Sequence, residues 1–128
     1  MTTIMSRRRF VDVLVEVALD EVVAGELAAM RNPPGRQPST DLMTRSNWFR
    51  GLDDESQALA VAAIRSAAYG VLHRLLVVLD GGASIETSPS KGKLQLLWRD
   101  GVDVVDLTDP TGSPELHDLL AEKLEFDT

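Results

Sequence analysis

No cysteine occurs in the 128 residues, so disulfides, thiolate zinc sites and cysteine nucleophiles are excluded, and a reducing, cytoplasmic setting is the expectation. Basic side chains are also short: thirteen Lys and Arg stand against twenty Asp and Glu, a net charge of −7. That balance disfavours phosphate backbones and anionic lipid, and it suits a cationic protein partner. Long uncharged apolar runs are missing after the N-terminal arginines. Ser6-Arg7-Arg8-Arg9-Phe10-Val11 has the look of a twin-arginine export signal, but Asp12, Glu16, Asp20, Glu21 and Glu26 interrupt the run that follows. The same acids exclude a spanning helix there. No other stretch is expected to reach the roughly 20 predominantly apolar residues a bilayer requires, so no membrane contact is expected.

What is present reads as one domain over residues 1–128, with residues 1–9 flexible. Proline is absent from Phe10 to Met30, and Phe10, Leu14, Val17, Leu19, Val22, Val23 and Leu27 recur as one face of a first helix. Asn32-Pro33-Pro34-Gly35 ends it, and residues 32–47 are expected to form a surface loop. Asp53 caps a second helix running to about Leu79, with Val61, Ile64, Ala68, Leu72, Leu75 and Leu79 as its core stripe. Ala60, Ala63, Ala67 and Gly70 form a ridge of small residues matched on helix one by Ala18, Gly25 and Ala29, which predicts a close antiparallel pair. Asp80-Gly81-Gly82 supplies the left-handed stop.

The period then changes to two. Asp100-Gly101 predicts a type I′ hairpin that sets Leu96 opposite Val105 and Leu94 opposite Leu107, and residues 83–87 would add a third strand. Ser113-Pro114-Glu115 starts a last helix with Leu116, Leu119, Leu120 and Leu124 on its apolar face. The expected class is α+β in two layers: helix, helix, three-stranded antiparallel meander, helix.

The candidate chemistry is sparse. Asp12, Glu16 and Asp20 stand at i, i+4 and i+8 without a compensating cation at helical spacing, either as a solvated face or as a docking ridge for a basic partner. Trp48-Phe49, just ahead of helix two, plug the open end of the core in the simpler reading. Exposed, they would anchor an interface, and Trp48 therefore joins the three acids as a candidate partner-binding residue. His73 and His117 have no metal-ligand spacing, and His117 with Asp118 is a catalytic pair only if their directions converge, which neighbours on a helix do not favour. Asp100, Asp103, Asp106 and Asp109 alternate faces along a strand and cannot gather round calcium. No metal, cofactor or catalytic residue is assigned. Two arginine islands, Arg7 to Arg9 and Arg31, Arg36, Arg45 and Arg50, lack the aromatic interleaving of a nucleic-acid surface, so contact with the protein's own acids or with a second copy competes with that reading.

Trp48 through Leu52 and Glu55, then Leu75-Leu76-Val77-Val78-Leu79-Asp80-Gly81, Leu94-Gln95-Leu96 and Leu116-His117-Asp118-Leu119-Leu120 resemble small uncharacterised bacterial proteins, including immunity proteins of polymorphic toxin systems. The resemblance covers residues 47–120 and implies an inhibitor that binds a toxin domain and has no catalytic residues. The leading expectation is thus a non-enzymatic protein-binding module, in its narrower form an immunity-type inhibitor whose acidic surface meets a basic toxin domain. An enzyme or ligand-binding domain using His117, Asp118 or His73 is the alternative, and a nucleic-acid-associated regulator a third.

Overall fold

The computed structural model describes residues 4–82, 92–109 and 114–127, with five α-helices and a two-stranded antiparallel sheet. The α+β class holds. The third strand expected at residues 83–87 lies outside the described residues. By internal packing the chain forms two compact units, Glu16–Gly70 and Met1–Val15 with Val71–Thr128.

Helix α1 (Arg7–Leu14) begins within the stretch expected to be flexible, capped by the Ser6 hydroxyl, which accepts from the Arg9 amide at 3.1 Å. A π-helical segment, Val15–Asp20, joins it to α2 (Glu21–Arg31). This segment changes which face is buried. Val11, Val15, Leu19 and Val23 are inside, at steps of four, while Val17 and Val22 of the expected face are exposed. In a 3.6-residue helix a step of four drifts by about 40°, and the wider i→i+5 turn takes up that drift, keeping the stripe straight.

In the unit Glu16–Gly70, α2 packs against α3 (Thr40–Arg50), a helix lying where a surface loop was expected. The Ser39 hydroxyl caps α3 by accepting from the Leu42 amide at 3.1 Å. Leu19, Val23, Met30 and Phe49 form the core, with buried Ser46 donating its hydroxyl to the Met30 carbonyl. The ridge of small residues does not mediate a close helix crossing: a Cβ built on Gly25 or Gly70 meets nothing within 4 Å.

Helix α4 (Asp54–Leu79) has the predicted bounds. The Asp53 carboxylate accepts from the Ser56 amide at 2.7 Å, and the Ser56 hydrogen bonds hold its pKa below the usual carboxylate value. Leu72 and Leu76 are its buried positions, whereas Leu75, expected inside, is 53% exposed. Against expectation, α4 is long and apolar enough by length and composition to cross a membrane, with mean hydropathy 1.4 over its most apolar 18 residues. Only 11% of that window is buried. The mostly buried core helix of a water-soluble protein and an N-terminal signal sequence meet the same criterion.

The other unit packs α1 against α5 (Leu116–Asp127), with Val11, Leu76, Leu107, Leu116 and Leu120 almost wholly buried. Arg8 pairs with Glu122 at 3.1 Å, and Arg7 donates to the Asp109 carbonyl at 3.2 Å. Strands β1 (Leu97–Asp100) and β2 (Asp103–Asp106) pair Trp98 with Val105 and Asp100 with Asp103. The loop is therefore Gly101-Val102, one residue later than predicted. Gly101 has φ +60° and no non-glycine residue among the described residues has positive φ, the pattern of a type II′ turn with glycine first. This spares Asp100 a left-handed conformation, and Trp98 faces Val105 instead of Asp103. The shift moves each partner by two residues, so Leu96, Trp98, Val105 and Leu107 still share one face. Gly101→Val should lower stability by about 1–2 kcal/mol, read as a lower urea midpoint, through backbone strain alone because no atom lies within 4 Å of the new Cβ. An unchanged midpoint would contradict the turn geometry.

Candidate functional site

The C-terminus of α4 closes as a Schellman motif. Gly81, at φ +79°, donates to the Val78 carbonyl at 3.1 Å, and Gly82 donates to Val77 at 2.9 Å. The turn presents Asp80 to the start of α5. Its carboxylate accepts from the Leu116 amide at 3.3 Å and the His117 amide at 2.9 Å, so an acid 36 residues upstream caps the helix. Ser113, the predicted cap, lies outside the described residues.

The same carboxylate meets the His117 ring, with Oδ2 at 2.7 Å from Nδ1. Glu115 Oε2 lies 3.5 Å from Nδ1, and Asp118 Oδ1 lies 3.4 Å from Nε2 on the other side of the ring. The edge-on ring of His73 completes the group, its centroid 5.7 Å from that of His117. Burial is the largest single influence on His117 and lowers its pKa. The Asp80 hydrogen bond and the charges of Asp118, Asp80 and Glu115 together outweigh it, so the net shift is upward. The Asp80 side chain is 5% exposed and that of His117 23%, which makes this a partly buried charge cluster.

Sequence reasoning named His117, Asp118 and His73 but missed Asp80 and Glu115 as their companions. Asp80 was legible only as a helix terminator. The acid closest to His117 is Asp80, not its sequence neighbour Asp118, because the turn after α4 brings Asp80 against the first turn of α5.

The acidic ridge is partly neutralised. Asp12 pairs with Lys123 and Asp20 with Arg65, each at 2.8 Å, while Glu16 is exposed and has no ion pair among the described residues. Both cations come from distant parts of the chain, invisible to helical spacing. Such exposed pairs contribute about 0–1 kcal/mol and exchange readily with a partner's charges. Several arginines of the two islands are engaged within the chain: Arg45 pairs with Glu26, Arg31 lies over the Phe49 ring, and Arg50 donates to Asn47. In the aspartate series Asp106 accepts from Gln95, at 2.9 Å, and from the Thr108 amide and hydroxyl. The Gln95 bond leads the influences that lower its pKa.

Trp48 and Phe49 divide the two roles foreseen for them. Phe49 is wholly buried and plugs the core, while Trp48 is 55% exposed on the same helix. No protein-family model matches the chain, and no curated protein or solved structure matches it significantly.

Proposed function

We propose that the chain is a non-enzymatic protein-binding module that docks through the Trp48 face of α3. The supporting observation is that Trp48, one of only two tryptophans, stands out from a helix pinned by its neighbour Phe49. A large side chain on a rigid mount loses little entropy on burial, and tryptophan is prominent among residues that dominate interface energies. The net charge of −7 favours a basic partner, for which the exposed acids, Glu16 and the exchangeable Asp12 and Asp20 among them, would speed encounter. The narrower form of the proposal is a cytoplasmic inhibitor of a basic toxin domain, as the immunity-protein resemblance of residues 47–120 implies.

Affinity capture from the source cells tests it with three baits: wild type, Trp48→Ala, and the triple variant Asp12→Asn, Glu16→Gln, Asp20→Asn. Wild type should retain a partner that Trp48→Ala loses by at least tenfold in affinity, and the triple variant should associate more slowly with a weaker salt dependence. Equal capture by wild type and Trp48→Ala would retire the Trp48 face. Equal association rates for wild type and the triple variant would retire the acidic ridge.

A further inference from the structure

The cluster at the α4–α5 junction holds more negative charge than its helix-capping role requires. Asp80 alone caps α5, yet Glu115 and Asp118 also face the His117 ring, so three carboxylates surround one imidazole. Asp80 Oδ2 accepts a hydrogen bond from His117 Nδ1 at 2.7 Å, and that shared proton occupies the position an ion would take. Asp118 Oδ1, 3.4 Å from Nε2 on the opposite side, is placed to hold a hydrogen there once an ion takes the Nδ1 lone pair. A carboxylate holding the far nitrogen of a histidine is the usual support of a metal ligand.

One ligand atom from each of Asp80, Glu115 and His117 lies within 4.8 Å of the other two. Metal bonds of 2.0–2.1 Å in a tetrahedron set ligand atoms about 3.3–3.5 Å apart. The Glu115 to Nδ1 spacing of 3.5 Å already fits, and the Asp80 to Nδ1 spacing of 2.7 Å would open by about 0.6–0.8 Å as the ion replaces the proton. Asp80 Oδ1 keeps the Leu116 amide throughout. An imidazole with two carboxylates suits a divalent first-row transition ion, whereas calcium and magnesium favour all-oxygen shells.

We propose that Asp80, Glu115 and His117 bind a divalent transition-metal ion of the zinc type, tying the C-terminus of α4 to the N-terminus of α5. The test is calorimetric titration of the full chain with zinc chloride at pH 7, run on wild type and on Glu115→Gln. Glu115 is half exposed and outside the cap, so the substitution leaves folding intact. Wild type should take up one zinc per chain, unaffected by millimolar magnesium, and Glu115→Gln should bind at least tenfold more weakly. In long-range nitrogen–proton spectra, the His117 Nδ1 resonance should move on zinc addition. No saturable uptake, a smaller difference between the two proteins, or an unmoved His117 Nδ1 would overturn the proposal.

Discussion

Phe49→Ala is expected to lower the unfolding free energy by about 3–5 kcal/mol, a large part of what a domain of this size possesses. The ring is wholly buried, Arg31 lies over it at 5.9 Å, and the core around it is completed by Leu19, Val23 and Met30. Removing it deletes the largest side chain of that core and leaves a cavity that α2 and α3 can close only by shifting toward each other. Trp48→Ala, one residue earlier on the same helix, should cost about 1 kcal/mol or less, because more than half of that side chain already meets water. Urea unfolding of both variants, followed by far-ultraviolet circular dichroism, makes the comparison. Similar losses would mean that Trp48 is also part of the core and would remove it as a docking residue.

The elements legible in the sequence are those fixed by local chemistry. Asp53 and Gly81 mark the ends of α4 because a cap and a left-handed stop act within a few residues. The hairpin was found for the same reason, and its loop was misplaced because Asp-Gly satisfies a type I′ turn on paper while glycine alone satisfies a type II′ turn one position later. Helix α3 was hidden by its own composition. Its buried stripe contains Ser46, a polar residue that a search for apolar periodicity rejects and that only the Met30 carbonyl makes acceptable inside. The face of the first helix was misread for a different reason: a period of 3.6 was assumed across residues that coil more widely.

Less of the candidate site was legible. His117 and His73 could be singled out as ionisable groups on helices, but their company depends on folding that brings Asp80 to a residue 37 positions later. A signal did exist. An acid immediately before a Gly-Gly helix stop has an unusually fixed direction, and a following helix with no described side-chain cap of its own can use it. The ion pairs of Asp12 and Asp20 belong to the same class, since Lys123 and Arg65 are far away in sequence.

Asp80→Ala provides the second large expected effect, about 2–4 kcal/mol, from loss of a helix cap together with donors left unpaired in a partly buried site. The Leu116 and His117 amides and the imidazole would all lose their acceptor. The effect should depend on pH, in a direction set by His117. Its folded-state pKa lies above its ordinary value of 6.5, so the protonated ring favours the folded state. The resulting stabilisation is complete below about pH 6.5 and is lost as pH rises through the higher folded-state value. With a chelator present to keep the chain free of metal, wild-type stability should therefore fall across that window. In Asp80→Ala the hydrogen bond and one of the three charges that raise His117 are gone, while burial still lowers it, so the same window should show a flatter profile. Urea midpoints at pH 5.5 and 8.5 for both proteins give the measurement. Parallel declines in the two would show that Asp80 is a helix cap and not the counter-ion of His117.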